Sequence, residues 1–305
     1  MAVPGWRAPV EQFGPMKSTP SVAREISYAS AASTRAGRAV IRSVENLTGR
    51  LRLIRMAGDY AGDIGAGRDF WQVMIERYGV APQILAGSIE NIPAEGPVIV
   101  VANHPYGILD GLILGHLLAR RRGDFRILAN RVFRKAEELD RVILPISFDE
   151  GKAAVAGNIE TRRIALDYLR TGGCIGVFPG GTVSTALRPF GRPMDPGWRR
   201  FTARLIAKSG AAVVPIYFDG HNSRLFQLAS HMHQTLRLAL LVKEFRARIG
   251  MPVRLVIGQP LDPARIAAEA GDARRLMDHL RAETYRLSPR PITDLSYGFE
   301  FEDQH

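Results

Sequence analysis

Short apolar runs alternate with longer amphipathic stretches along most of the chain. Six runs of four to seven residues have the length and composition of buried strands: 98–102, 125–128, 142–146, 174–178, 212–218 and 253–257. Four stretches between them show the apolar spacing of helices: 110–122, 158–170, 198–208 and 225–248. Asp262 suits the N-cap of a further helix, with Pro263 at its first position. The alternation predicts an α/β fold with a mixed, largely parallel sheet flanked by helices.

The ends of the chain follow different patterns. Residues 1–37 are rich in Pro, Ala, Ser and Gly and predict a flexible or loosely docked arm. Residues 38–80 predict an N-terminal amphipathic helical segment whose basic, aliphatic and aromatic side chains suit a membrane interface, although packing on the domain core explains them equally well. We expect the α/β domain itself to cover 81–288 and an irregular tail to cover 289–305.

Composition narrows the possible functions. The single cysteine, Cys174, excludes an internal disulfide and a cysteine-based zinc site. A net charge of +11 favours an anionic partner, which could be a membrane surface, a nucleic acid or an acidic protein. No run approaches the roughly 18 apolar residues of a membrane span, and four early prolines interrupt any secretory signal. Action on lipid would therefore take place from the membrane surface.

The first candidate site is the segment from Val98 to Asp110. A strand ends at Asn103 and His104, a Pro-Tyr-Gly turn follows, and a helix begins near Asp110. Ligands bind at the carboxyl ends of strands in α/β sheets, and histidine accepts protons near neutral pH. Asp110 could orient the imidazole and stabilise its charged form, as in a hydrolase triad without its serine. Alternatively, Asp110 only caps the helix and His104 is only satisfied inside a turn.

A second candidate is the turn Phe178-Pro179-Gly180-Gly181-Thr182, which follows a predicted strand. Its backbone amides are little obstructed by side chains, so they could bind an anion or a developing oxyanion. An ordinary corner between a strand and a loop explains the turn as well. Arg188 and Arg192 follow within reach of an anionic headgroup, or belong to a solvated basic loop.

Two further segments carry weaker signals. Arg131, Arg134 and Lys135 follow a short strand and could bind phosphate or carboxylate, or cover a solvated helix face. Pro215 interrupts the predicted strand 212–218, which should therefore lie at a sheet edge or a bulge. His221, His231 and His233 lack companions at metal-ligand spacing, so no metal site is expected.

Taken in chain order, these segments resemble the four motifs of the glycerolipid acyltransferase superfamily, typified by bacterial 1-acylglycerol-3-phosphate acyltransferases. The resemblance covers about residues 84–260. It implies that His104 and Asp110 are catalytic. It also implies that the following residues bind substrate: Asn103, Gly107, Arg131, Arg134, Lys135, Phe178, Pro179, Gly180, Gly181, Thr182 and Pro215.

The sequence departs from the family pattern in two places. Five residues separate His104 from Asp110, whereas the family usually has four, and Gly107 could absorb the extra residue. The third motif usually reads Phe-Pro-Glu-Gly-Thr-Arg-Ser, but here Gly180 replaces the glutamate and Val183 the arginine. The motif Asn-His-Pro-x-Gly-x-x-Asp-Gly is similar to that of the bacterial subgroup of ornithine-lipid and hemolysin-like acyltransferases. The acceptor could therefore be lysophosphatidic acid or a lyso-aminolipid.

The resemblance implies transfer of a fatty acyl group from acyl carrier protein or coenzyme A to a lysolipid hydroxyl. No other cofactor is expected, and the protein should lie peripherally on the cytoplasmic face of the inner membrane. A non-catalytic basic protein that binds lipid or nucleic acid is the main alternative. No nucleic-acid-binding signature accompanies the positive charge, so a nucleic-acid partner is not expected. A serine hydrolase would need a Gly-x-Ser-x-Gly elbow, which the sequence lacks.

Overall fold

The computed structural model describes residues 27–29, 32, 34–130, 137–147 and 151–300, without the side chains of residues 152 and 153. The described helices are α1 (Arg35–Thr48), α2 (Arg50–Ala57), α3 (Tyr60–Gly65), α4 (Phe70–Tyr78), α5 (Ile108–Arg122), α6 (Glu137–Asp140), α7 (Lys152–Arg170), α8 (Arg200–Ser209), α9 (Arg224–Met232), α10 (Gln234–Arg248), α11 (Pro263–Glu269) and α12 (Ala273–Arg286). The strands are β1 (Ala81–Gly87), β2 (Val98–Ala102), β3 (Arg126–Asn130), β4 (Ile143–Ile146), β5 (Cys174–Val177), β6 (Thr185–Ala186), β7 (Pro193–Met194), β8 (Ala212–Phe218) and β9 (Pro252–Ile257).

Seven of the strands form one mixed sheet in the order β1-β9-β8-β2-β5-β3-β4. Its neighbouring strands are parallel except β8 and β9, which are antiparallel. β6 and β7 form a separate small hairpin. The predicted α/β class with a mixed, largely parallel sheet is therefore confirmed.

The central strands are buried on both faces of the sheet. All five residues of β2 are fully buried, with Val98, Val100 and Ala102 in one apolar core and Ile99 and Val101 in the other. The two cores follow from the alternation of side chains along a strand. Helices cover both faces, which explains why the central strands are continuous apolar runs in the sequence.

The expectation that Pro215 marks an edge or a bulge is wrong, because β8 lies inside the sheet. The carbonyl oxygen of Pro215 accepts a hydrogen bond from the backbone N–H of Gly258, just beyond the end of β9. In a strand, the N–H and C=O of one residue point to the same side. The side of Pro215 that lacks an N–H therefore faces the end of β9, and no hydrogen bond between β8 and β2 is lost.

Two other elements differ from the sequence prediction. The predicted helix 225–248 is two helices, because His233 adopts an extended backbone (φ −165°, ψ 134°) between α9 and α10. β1 was not predicted, since it is an exposed edge strand without apolar alternation that exists by pairing with β9. The expected N-cap at Asp262 is confirmed, with its side chain accepting from the backbone N–H of Ala264.

The N-terminal amphipathic segment packs on the domain core and also leaves some of its apolar side chains exposed. Ile41 on α1 and Leu53 on α2 are fully buried against the domain, whereas Val40, Leu47 and Leu51 are exposed by 46%, 84% and 54%. None of the helices within the described ranges is both long and apolar enough to cross a membrane.

Segments near both ends of the chain pack against helices of the domain. Most of the predicted arm lies outside the described residues, but residues 27–29 dock on α1 through hydrogen bonds to Glu45. Residues 289–300 of the predicted tail have no regular secondary structure, and Arg281 donates to the carbonyl oxygens of Leu295 and Ser296. Residues 301–305 lie outside the described part.

Two glycines on α5 provide a matched test of the packing between α4 and α5. A Cβ on Gly115 would overlap the ring of Trp71, whereas a Cβ on Gly111 would meet no atom within 4 Å. Gly115→Ala should lower the free energy of unfolding by about 1–3 kcal/mol through overpacking. Gly111→Ala should raise it by about 0.5–1 kcal/mol, because alanine favours a helix over glycine. Urea denaturation measures both, and equal effects of the two substitutions would contradict this packing.

Candidate active site

A turn at the carboxyl end of β2 positions the candidate catalytic pair. Asn103 is buried, and its carboxamide donates to the carbonyl of Phe218 (3.0 Å) and accepts from the backbone N–H of the same residue (2.7 Å). These bonds tie the start of the turn to the end of β8. The contacts of Asn103 are thus structural, and it does not line the adjacent pocket.

His104 and Asp110 are in direct contact. Nδ1 of His104 lies 3.0 Å from Oδ2 of Asp110, which is fully buried, while the imidazole is 18% exposed. The same Oδ2 accepts from the backbone N–H groups of Tyr106 (2.7 Å) and Gly107 (3.0 Å). Burial raises the pKa of Asp110, whereas His104 and the two amides act in the opposite direction. Because Nδ1 faces the carboxylate, Nε2 is the nitrogen left for a substrate proton.

The extra residue between His104 and Asp110 is accommodated at Gly107. Gly107 is the N-cap of α5 and has a φ of +84°, which L side chains rarely adopt. Asp110 is the third residue of α5, so its carboxylate accepts from the N-cap as in a capping box. The two interpretations left open by the sequence are therefore compatible, because one carboxylate both caps the helix and contacts the imidazole.

The Gly-Gly turn lies directly against His104. The rings of His104 and Phe178 are stacked, with centroids 4.2 Å apart and an interplanar angle of 25°. The carbonyl of His104 accepts from the backbone N–H of Ser184 at 2.8 Å. The first and second candidate segments therefore form one site.

Asp195 joins these segments and was not identified from the sequence. It is fully buried, and Oδ1 accepts from the backbone N–H of His104 (3.2 Å) and from the hydroxyl of Ser184. Oδ2 accepts from Nε1 of Trp198 at 2.9 Å. A Cβ on Gly180 would lie 3.4 Å from the carboxyl group of Asp195. This carboxylate thus occupies the space beside the position at which the family motif has its glutamate.

Arg237, from α10, is a second residue that the sequence did not single out. It is buried and donates to the hydroxyl of Thr182 (2.9 Å) and the carbonyl of Val183 (2.7 Å), and also to the hydroxyls of Thr185 and Ser230. Burial lowers the pKa of Arg237 to about 9, so the guanidinium remains charged at neutral pH. It places a cation beside Val183, the position of the family arginine.

An apolar pocket of about 380 Å³ opens beside His104. One part of its wall consists of apolar residues of α4, α5, β3 and β4, namely Phe70, Trp71, Met74, Leu112, Ile127 and Ile143. Its polar side is lined by Thr182, Arg199, Gln234, Arg237 and Glu300. Tyr28 also lines it, although the sequence placed this residue in a loosely docked arm. The arrangement suits a ligand with one long apolar part and one polar end.

The structure brings together only some of the predicted site residues. His104, Gly107, Phe178, Gly181 and Thr182 line the pocket, and Asp110 lies behind His104. Pro179, Gly180 and Pro215 do not line it. Arg131, Arg134 and Lys135 lie outside the described residues. Over the ranges that the structure describes, no group of three or more His, Cys, Asp or Glu side chains is placed to hold a metal ion.

Comparisons with known proteins indicate the family of the chain. A family model described as acyltransferase matches residues 64–290. The lyso-glycine lipid O-acyltransferase of Phocaeicola vulgatus is 26% identical over 208 residues, which cover 64% of this chain and 69% of that protein. The enzyme of the same name from Bacteroides thetaiotaomicron is 29% identical over 161 residues, covering 52% of this chain and 56% of that protein.

One solved structure is similar at lower identity. The 1-acyl-sn-glycerophosphate acyltransferase of Thermotoga maritima is 18% identical, with 87% of each chain covered and a TM-score of 0.45. The family assignment comes instead from the family model, which spans more than half of the chain and includes both the His104 turn and the Gly-Gly turn. The chain therefore belongs to the acyltransferase family, within the glycerolipid acyltransferase superfamily.

Proposed function

We propose that the protein transfers a fatty acyl group from a thioester of acyl carrier protein or coenzyme A to the hydroxyl of a lysolipid. The observation that carries this proposal is the contact between His104 and buried Asp110 at the edge of an apolar pocket. The pocket offers space for an acyl chain, and the pair offers a base for the acceptor hydroxyl.

The reaction follows from the positions of these groups. Nε2 of His104 removes the proton from the acceptor hydroxyl, and Asp110 stabilises the resulting imidazolium. The acceptor oxygen attacks the thioester carbonyl, forming a C–O bond and a tetrahedral oxyanion. The intermediate collapses by breaking the C–S bond, and the imidazolium returns its proton to the departing thiolate. The products are an ester and a free thiol.

The Gly-Gly turn is the better candidate for holding the oxyanion. The backbone N–H groups of His104, Tyr106 and Gly107 are already bonded to Asp195 and Asp110. Thr182 lines the pocket, and within the described part of the chain its backbone N–H donates to no other protein group. Such donors contribute about 10²–10³-fold each when they are aimed at a developing oxyanion.

The acceptor that fits best carries an amino-acid headgroup. Both relatives are named lyso-glycine lipid O-acyltransferase. A glycine headgroup joined through its nitrogen would present a free carboxylate. Arg237 and Arg199 lie on the polar side of the pocket, and a guanidinium pairs well with a carboxylate. A lyso-ornithine lipid has similar chemistry, and lysophosphatidic acid is the alternative acceptor to be compared in the assay.

We further propose that the protein works at the cytoplasmic face of the inner membrane. Val40, Leu47 and Leu51 are exposed on α1 and α2 among the exposed basic residues Arg38 and Arg52. An exposed apolar stripe with arginines beside it suits the interface of an anionic membrane. The net charge of +11 supports the same surface.

Replacement of the proposed base tests the function directly. His104→Gln should reduce acyl transfer by about 10²–10⁴-fold, because the acceptor hydroxyl loses its proton acceptor. Thiol release from acyl carrier protein and coenzyme A thioesters, measured with each of the three lysolipids, gives the rate. His279→Gln on α12 is the control and should be unchanged. A wild-type rate for His104→Gln with every acceptor would refute the mechanism, and no transfer by the wild-type protein would favour a non-catalytic binding protein.

Asp195 is expected to act as a positioning residue. Asp195→Asn keeps the size of the side chain but cannot accept from both Ser184 and Trp198 while it also holds His104. Turnover should fall by about 10²-fold, because small misplacements of catalytic groups are costly. KM should change by less than threefold. Steady-state kinetics measure kcat and KM separately. A rise in KM at constant kcat would instead show that Asp195 binds substrate.

Gly111 tests whether the pocket holds the acyl chain. It lines the pocket, and a side chain there would enter open space. Gly111→Leu should therefore exclude the longest donors, lowering kcat/KM about fourfold for each methylene that can no longer be buried. Gly111→Ala should shift the chain-length preference less. A series of thioesters of increasing length measures this, and an equal loss at all lengths would contradict the assignment.

A further inference from the structure

A second cavity, of about 310 Å³, lies outside the candidate active site. Its walls are the β6–β7 hairpin, the loop after β8, the start of α9 and the segment after α12. None of the residues that line it also lines the first pocket. The proposed acyl transfer makes no use of it.

Unpaired polar atoms line this cavity. Asn222 is 1% exposed, and within the described ranges neither its Nδ2 nor its Oδ1 has a hydrogen-bond partner. Nε2 of Gln227 is also buried without an acceptor there, whereas its Oε1 accepts from the backbone N–H of Ala186. Buried polar atoms are nearly always paired in folded proteins. A ligand that presents both acceptor and donor groups would satisfy them.

The charge of the cavity favours an anion. Arg192, Arg224 and Arg290 line it together with the carboxylate of Asp219. Asp219 is paired with Arg254 at 2.5 Å, while Arg290 is 3.8 Å from its other oxygen. The carboxylate is thus largely matched by Arg254, which leaves a surplus of guanidinium groups at the cavity.

The rim of the cavity favours a lipid over a small soluble anion. Phe190 lines the cavity, is 69% exposed and has a φ of +69°. Leu187 and Leu225 do not line the cavity but lie close in sequence to Phe190 and Arg224, and they are 53% and 51% exposed. The guanidinium of Arg224 lies 6.0 Å from the centre of the Phe190 ring. Apolar side chains beside basic ones suit the boundary between the headgroups and acyl chains of an anionic membrane.

We propose that this cavity binds the headgroup of an anionic glycerophospholipid, separately from the acyl acceptor. The phosphate accepts from Nδ2 of Asn222, Nε2 of Gln227 and the arginines, and a headgroup hydroxyl donates to Oδ1 of Asn222. Phe190 and Leu225 contact the glycerol and the first methylenes. The site does not depend on the proposed reaction.

Calorimetric titration of the full chain with dihexanoyl phosphatidylglycerol, kept below its micelle concentration, tests the proposal. Binding should saturate at one site, and Asn222→Leu and Arg224→Gln should each weaken it at least tenfold. Asn222→Leu replaces an unpaired carboxamide by an apolar side chain of similar size, so the protein should still fold. Arg204→Gln, at an exposed position on α8, is the charge-matched control and should bind like the wild type. His104→Gln should also bind normally, which separates this site from the reaction.

Two results would overturn the proposal. Glycerol 1-phosphate and inorganic phosphate are tested as competitors for the same groups. If either binds as tightly as the lipid, with the same dependence on Asn222 and Arg224, the occupant is a soluble anion. If no saturable binding occurs, or if Asn222→Leu binds as well as the wild type, the cavity holds only water.

Discussion

The geometry of the site depends on how the carboxylate of Asp110 is held inside the protein. A fully buried carboxylate is unfavourable unless hydrogen-bond donors surround it. The donors here are the backbone N–H groups of Tyr106 and Gly107, and Nδ1 of His104 lies 3.0 Å from the same oxygen atom. Satisfying one oxygen atom therefore closes the start of α5, bends the chain at Gly107 and orients the imidazole. A change in any of the three would disturb the other two.

The two departures in the third motif are compensated by residues that are distant in sequence. Gly180 leaves room for the carboxylate of Asp195, which bonds to the backbone of His104 across 91 positions of the chain. Val183 is buried among apolar residues, and Arg237 reaches the same turn from α10. The altered motif therefore still has a carboxylate and a guanidinium beside it, but they come from other elements.

The pattern of apolar residues predicted those strands that are buried along their whole length. The bounds of β2 and β8 agree with the apolar runs, because both strands are buried on their two faces. The pairing of His104 with Asp110 was predictable for a similar reason, since both residues lie in one short turn. By contrast, β1 is an exposed strand whose existence depends on β9, and the burial of Asp195 and Arg237 depends on the packing of distant segments. Sequence periodicity contains no information on such contacts.

Tyr106 connects the turn that holds the catalytic pair to the wall of the second cavity. Its hydroxyl donates to the carbonyl of Asp219 at 3.1 Å, and burial raises its pKa to about 12, so it remains a neutral donor at physiological pH. The guanidinium of Arg248 lies 4.5 Å from the centre of the Tyr106 ring and donates to the carbonyl of His221. A Cβ on Gly220 would overlap the Tyr106 hydroxyl, so this loop has little freedom to move independently of the turn. A ligand that orders the loop from Asp219 to Asn222 would therefore also restrain Tyr106, whose backbone N–H is one of the donors to Asp110. Tyr106 and the carboxylate that its backbone helps to hold thus form one physical connection between the two cavities.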